Sequence, residues 1–323
     1  MLSHGGTQIQ IQRTKAALEQ IGVETEYLRW WDETQTADLL HQFWTVPEFV
    51  LDLAHEKGWK VANTILFTET CNRSRGALLV RKIGIRALAS LPLPIGLQSS
   101  LHWRTFPMVD QMIIGLQAER DLLEDVYGVA AENVSIVPLG LTETFLKAAP
   151  AVRTEEHLIC TGRITESKNS LELARLARAA KVPILFVGKS GNPDNRYWLE
   201  FRTLIDGKYV KHHEHVSGEA AIVELLRKSR GYVLMSQFEN WCLAAHEAAA
   251  CGLPLLLPNQ RWSRERFGNQ ATYWPRTRNN TAALAALESF WEQSPKLPPP
   301  KIELFSWVEV AERLKAVYAR MLI

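Results

Sequence analysis

The chain has 323 residues, 46% of them hydrophobic and 22% charged, with a formal net charge of +2. That balance supports a sizeable core and excludes global disorder, and no apolar run reaches the length of a membrane span. The charge is uneven: residues 1–150 carry 13 Lys and Arg against 17 Asp and Glu, whereas residues 151–323 carry 24 against 18. A basic second half suits an anionic ligand, and the lack of basic runs interleaved with aromatics argues against nucleic acid. Four scattered cysteines, Cys71, Cys160, Cys242 and Cys251, form no CxxC pair and no zinc spacing. They fit a reducing compartment. With no signal-peptide pattern at the start, a cytoplasmic protein is expected.

In chain order, "SHGGTQ" (3–8) comes first, with Gly5 and Gly6 before a helical pattern at 7–22. Two glycines there permit close backbone approach to a ligand, although a lone pair also reads as a plain tight turn. A strand normally precedes such a turn, so the opening strand of this domain is expected to be missing. Strand patterns follow at 61–68, 111–116, 134–139, 157–162, 182–188, 231–236 and 253–258. They are rich in Ile, Val and Leu without strict alternation, as strands buried on both faces of a parallel sheet are. Helical patterns at 118–128, 169–180 and 306–323 separate or follow them, so the class is α/β with open, mostly parallel sheets. The basic stretch 77–96, with Arg81, Lys82 and Arg86, reads either as a membrane-surface or acceptor-facing helix or as a basic helix packed on its sheet. A polar, alanine-rich segment at 147–157 holds Pro150, and "SPKLPPPK" (294–301) makes a second break. Three parts are therefore expected: 1–150, 151–293, and a linker with a final helix at 294–323.

Two strand-to-helix loops carry the candidate chemistry. After the strand at 157–162, Arg163 and Lys168 flank a short loop before a helix. Two cations and a helix N-terminus at the carboxyl end of a strand suit a diphosphate, although each also reads as a solvated surface cation. After the strand at 231–236, "FENWCLAAHEAAACGLPLLLP" (238–258) places Glu239 at the strand's carboxyl end and Glu247 two helical turns further on. Carboxylates accept hydrogen bonds in pairs from vicinal hydroxyls, as sugars and ribose present them. The plainer alternative is a helix-dipole charge at Glu239 and an exposed face at Glu247. The cluster "HHEH" (212–215) lacks a third ligand, since only His213 and His215 share a strand face. No Asp-x-Asp and no P-loop occurs.

In combination these features resemble the glycosyltransferases of the GT-B fold, family four. The resemblance covers nearly the whole chain. "HGGTQIQ" matches the opening glycine turn, "TGRITESKN" the donor loop, "FENWCLAAHEAAACG" the E-x7-E signature and "SWVEVAERLKAVY" the closing helix that crosses back onto the first domain. It implies two Rossmann-like domains facing a cleft, the first on the acceptor side and the second binding a nucleotide-sugar donor. It also implies that Arg163 and Lys168 neutralise the departing diphosphate, Glu239 contacts the donor sugar and Glu247 the ribose, and Gly5 and Gly6 approach the donor phosphates. Transfer is then retaining and metal-independent, with no cofactor beyond the nucleotide-sugar co-substrate. The acceptor is a glycan, a lipid-linked molecule or a small molecule, in a setting such as polysaccharide biosynthesis, at the inner face of the membrane if the 77–96 stretch docks there. The chain departs from the family at Cys242, where glycine is usual, and at 66–74, which lacks the family's histidine. Two alternatives stay open: a nucleotide-sugar epimerase on the same fold, and a non-catalytic nucleotide-binding relative.

Overall fold

The structure, a computed structural model, describes residues 6–89, 101–190, 192, 194–214, 216–276 and 279–323; the side chains of Gly6, Thr7, Thr68 and Glu69 are not described. The chain divides into two units, Met1–Gly140 with Phe305–Ile323, and Leu141–Leu304. The second unit thus begins at Leu141 rather than at Ala151. Phe145 is buried, Thr142 Oγ1 donates to Glu219 Oε2 at 2.6 Å, and the turn Glu143–Leu146 packs on the helix that begins at Glu219. Those contacts tie residues 142–146, expected in the first part, to the second unit.

In the first unit, α1 (Gly6–Gln20), β1 (Leu39–Phe43), α2 (Glu48–Glu56), β2 (Lys60–Thr64), α3 (Arg75–Ala89), β3 (Gln111–Ile114), α4 (Gln117–Leu122) and β4 (Val134–Ile136) follow one another. The four strands are all parallel and lie in chain order, β1-β2-β3-β4. Among the described residues the sheet therefore opens with β1, which follows α1 in the chain. Buried Val61, Met112, Ile114, Leu123 and Val134 form the core on one face, as a parallel sheet covered by helices requires. The helix Trp307–Met321 packs on α1. Its start is fixed by a capping box, in which Ser306 N–H donates to Glu309 Oε2 at 2.7 Å and Glu309 N–H returns to Ser306 Oγ at 3.2 Å. Trp307, Val310, Ala311, Leu314, Val317 and Tyr318 make its buried stripe at helical spacing.

Two polar groups hold this unit's interior. The Nδ1 of His41 lies 2.6 Å from the Tyr318 hydroxyl and its Nε2 2.8 Å from Thr64 Oγ1. Burial pushes His41 down to about 3, so the ring is neutral and can donate from one nitrogen while accepting at the other. Glu119, fully buried on α4, accepts from the backbone N–H groups of Phe67, Gly115 and Leu116 at 2.9–3.1 Å. It thereby ties the chain after β2 to the chain after β3. The stretch 66–74, where the family histidine is missing, contains the short helical turn Thr68–Cys71.

The second unit runs β5 (Leu158–Thr161), α5 (Ser170–Ala179), β6 (Ile184–Val187), α6 (Arg196–Leu204), β7 (Val210–His213), α7 (Glu219–Lys228), β8 (Gly231–Val233), α8 (Leu243–Ala250), β9 (Leu255–Leu257), α9 (Arg261–Phe267), β10 (Thr272–Tyr273) and α10 (Asn280–Gln293). All six strands are parallel, in the order β10-β9-β8-β5-β6-β7. Every residue of β5, β6, β8 and β9 is buried, whereas the edge strands β7 and β10 are partly exposed. The chain therefore starts at the middle of the sheet, winds outward through β6 and β7, and returns to the other side of β5 at β8. That reversal is the topological switch point of a doubly wound sheet, and ligands bind outside the carboxyl ends of the strands there.

Candidate active site

The two strands at the switch point carry the two sequence motifs. After β5 the chain passes Gly162 and Arg163, makes a 3-10 turn at Glu166–Lys168 and enters α5 through Asn169. Asn169 sits in the left-handed region at φ 55°, which asparagine tolerates better than most residues. After β8 the chain passes Gln237 and Glu239 and enters α8 at Cys242. Two contacts join these loops. The Gln237 N–H donates to the Ser167 carbonyl at 2.8 Å, and the Gln237 side-chain amide donates to Asn169 Oδ1 at 3.4 Å.

Lys168 and Glu239 are thereby brought into a direct ion pair, Nζ to Oε1. The side chains are 28% and 11% exposed, so the pair is partly shielded while the lysine still reaches solvent. Burial disfavours the ammonium, but the Glu239 carboxylate outweighs it and lifts Lys168 above the ordinary lysine range. A permanently charged cation therefore sits at the switch point. Arg163 is exposed, and among the described residues no ion pair or hydrogen bond joins it to Lys168 or Glu239. Gly6 is the first described residue of α1, and Gly5 lies outside the described residues.

Glu247 projects from the middle of α8, whose Ala245, Ala248 and Ala249 are buried. The small side chains let this helix pack closely and leave the longer carboxylate half-buried. Burial first, and the neighbouring Glu219 carboxylate second, raise Glu247 to about 7. Glu219, at the start of α7, carried no signal in the sequence. Its proximity to Glu247 arises only from the packing of α7, α8 and the Thr142 turn.

Cys242, the departure from glycine, is held in the left-handed region at φ 55° and ψ 73°, a conformation that costs a non-glycine residue roughly 1–2 kcal/mol. Its buried thiol is pushed well above its usual value, mainly by burial and then by Glu239. It is a structural thiol and not a thiolate nucleophile. A stack beside it supports the strained turn. The Trp241 and His246 rings are parallel within 7° at 4.9 Å, and the Arg266 guanidinium lies 4.1 Å from the Trp241 ring. His246 Nδ1 lies 3.0 Å from the Cys242 carbonyl oxygen, and burial pushes the ring down to about 3. The imidazole is therefore neutral, and Nδ1 donates.

In the "HHEH" cluster, His212 Nε2 is 2.9 Å from the Gly188 carbonyl, His213 is exposed, and His215 lies outside the described residues. Among the described residues, no group of three His, Cys, Asp or Glu side chains is placed to hold a metal ion. A cavity of 280 Å³, lined by Ile164, Thr165, Ser167, Asn195, Tyr197 and Trp198 among others, opens beside the Arg163–Lys168 loop. It faces the β6 side of that loop, whereas the Lys168–Glu239 pair faces β8.

The chain thus comprises a doubly wound parallel-sheet unit and, before it in sequence, a second parallel-sheet unit. Residues 142–299 match the family model described as Glycosyl transferases group 1. The second unit is thus similar to the domain that this family model describes, and the chain shares the GT-B fold with the solved structures it matches. Similar solved structures include sucrose-phosphate synthase from Thermosynechococcus elongatus, with a TM-score of 0.66 at 16% identity, covering 98% of this chain and 94% of that one. AviGT4, a glycosyltransferase involved in avilamycin A biosynthesis, matches with a TM-score of 0.56 at 17% identity over 99% of this chain and 90% of that one. The pneumococcal O-GlcNAc transferase GtfA, solved with UDP and GlcNAc, matches with a TM-score of 0.59 at 14% identity over 84% of this chain, which spans 55% of that protein. No curated protein sequence matches the chain. Identities this low establish the shared fold and nothing finer.

The raised Glu247 carboxyl gives a pH-dependent expectation. Its value in the fold, about 7, lies above the ordinary 4.5, so ionising it costs stability that is lost as pH rises from about 4.5 through 7. Glu247→Gln is expected to raise Tm at pH 8 and to leave it nearly unchanged at pH 4.5. Thermal unfolding of both proteins across that range measures it. Equal melting differences at the two ends would show that the carboxyl is not shifted.

Proposed function

We propose that the chain is a retaining glycosyltransferase that moves a sugar from a nucleotide-diphosphate sugar to a glycan, lipid-linked or small-molecule acceptor. The Lys168–Glu239 pair at the β5/β8 switch point carries this reading. In this scheme the bond from the anomeric carbon to the diphosphate oxygen breaks. An acceptor oxygen bonds to that carbon on the same face, and the acceptor proton leaves with the departing diphosphate. Lys168 and Arg163 stabilise the negative charge that grows on the leaving oxygen, the task a divalent ion has in other transferases. Glu239, pre-aligned by Lys168, accepts from donor sugar hydroxyls, and Glu247 accepts from ribose hydroxyls. No cofactor beyond the donor is invoked.

The UDP held by the similar GtfA structure makes UDP the first nucleotide to test. The experiment is thermal unfolding with a panel of nucleoside diphosphates in EDTA. A ligand at a hundred times its Kd stabilises a protein by roughly 2.7 kcal/mol, well within reach of a melt. One nucleotide is expected to shift Tm and to lose that shift in Lys168→Ala. No shift from any of them would sink the donor site. A shift that needs added metal would overturn metal independence, and an inverted anomeric centre in the product would overturn retention.

A further inference from the structure

The helix α3 presents a surface that the donor site does not use. At 100° per residue, Gly76, Leu79, Val80, Ile83 and Ala87 share one face. Leu79, Val80 and Ile83 are 58%, 71% and 60% exposed. The opposite face holds the helix to its unit: Ile85 is buried, Leu78 packs on the core, and the Arg81 Nε–H donates to the Tyr127 hydroxyl at 3.0 Å. Along one flank of the apolar face run Arg75, Lys82 and Arg86, and the helix contains no carboxylate.

The charge pattern extends beyond the helix. Residues 70–109 contain six Lys and Arg and no Asp or Glu, whereas the rest of residues 1–150 contains seven against 17. One segment is thus strongly cationic within an otherwise acidic half. An anionic surface would attract this segment and repel its surroundings, which fixes orientation as well as attraction.

We propose that α3 is a membrane-docking element, lying on an anionic lipid surface with Leu79, Val80 and Ile83 entering the headgroup boundary and Arg75, Lys82 and Arg86 meeting lipid phosphates. A nucleic acid would answer the cations but would leave the three exposed aliphatic side chains without a role. A second copy of this chain would bring like charges face to face in a two-fold contact. A lipid surface satisfies both halves of the pattern. The inference stands apart from the donor chemistry.

The test is sedimentation of the full chain with phosphatidylcholine vesicles, with and without phosphatidylglycerol. Binding is expected only to the anionic vesicles. It should weaken sharply between about 0.1 M and about 1 M salt, as the Debye length falls from ~10 to ~3 Å. Arg75→Gln and Arg86→Gln are each expected to weaken it roughly five-fold, and Ile83→Asp roughly ten-fold or more. All three positions are exposed, so their melting temperatures should match the wild type. Equal binding to pure phosphatidylcholine, or an Ile83→Asp variant that binds as the parent does, would overturn the proposal. So would retention on heparin that is as tight as on vesicles and indifferent to Ile83→Asp, which would mark a polyanion site instead.

Discussion

Lys168→Ala is expected to lower turnover of the nucleotide sugar by roughly 10²–10³-fold, the usual consequence of removing one group that stabilises charge growing in a transition state. The argument starts from position. Lys168 follows β5, the first strand of the sheet in the chain, and its ammonium is held at the switch point by Glu239, which follows β8. Its raised proton affinity keeps it charged throughout the physiological range. Stability should fall as well, because Glu239 loses its ammonium partner. Exposed pairs contribute about 0–1 kcal/mol, and breaking a fully buried pair costs about 3–5. This half-shielded pair should lie between, at about 1–3 kcal/mol. The two losses separate in a cycle with Glu239→Gln. The double variant should recover part of the stability but none of the activity, because the cation remains absent. Urea unfolding and donor turnover of the four proteins measure this. An Ala variant that folds and retains more than a tenth of the activity would show that Lys168 does not face the leaving group.

The sequence made the central strands of both sheets readable because residues buried on both faces leave an unbroken apolar run. All of β5, β6, β8 and β9 were legible in that way. Three edge strands were not. β1 (LLHQF) is half-buried throughout and interrupts its apolar residues with His41 and Gln42. β7 (VKHH) shows only its first residue to the core, and β10 has two residues. An edge strand borrows its burial from one neighbour, so its own composition says little. The site divides along the same line. Arg163, Lys168, Glu239 and Glu247 stood out from their place at strand ends and from the alanines around Glu247. Local pattern could not show that Lys168 and Glu239, 71 residues apart in sequence, form a pair. That follows from the adjacency of β5 and β8, a property of strand order. Nor could it show Glu219 beside Glu247, which depends on how two helices pack. The left-handed turn at Cys242 was hidden for the opposite reason: cysteine gives no hint of positive φ, so the strain is visible only in the backbone.

The other large expected effect concerns a residue to which the sequence assigned no role. Gly188 ends β6 with φ 150°, and a Cβ placed there would lie 2.0 Å from the Gly162 carbonyl oxygen and 2.7 Å from its carbon. Both are backbone atoms of the strand end that leads into Arg163, and the Gly162 N–H is itself bonded to the Val187 carbonyl at 2.9 Å. No rotamer change can relieve such a clash, so Gly188→Ala must separate β5 from β6 where the donor loop begins. The expected cost is large, roughly 3–5 kcal/mol, together with loss of nucleotide binding as the Arg163–Lys168 loop moves. Gly207→Ala is the matching control. Its φ is also positive, at 71°, but no atom lies within 4 Å of the added Cβ. It should therefore cost only the conformational penalty, about 1 kcal/mol, and leave binding intact. The difference between the two variants in urea unfolding reports the clash together with the greater backbone strain at φ 150°, and nucleotide titration of each shows whether it reaches the loop. If Gly188→Ala proved no more costly than Gly207→Ala, the close passage of these two strand ends would not be what sets the donor loop.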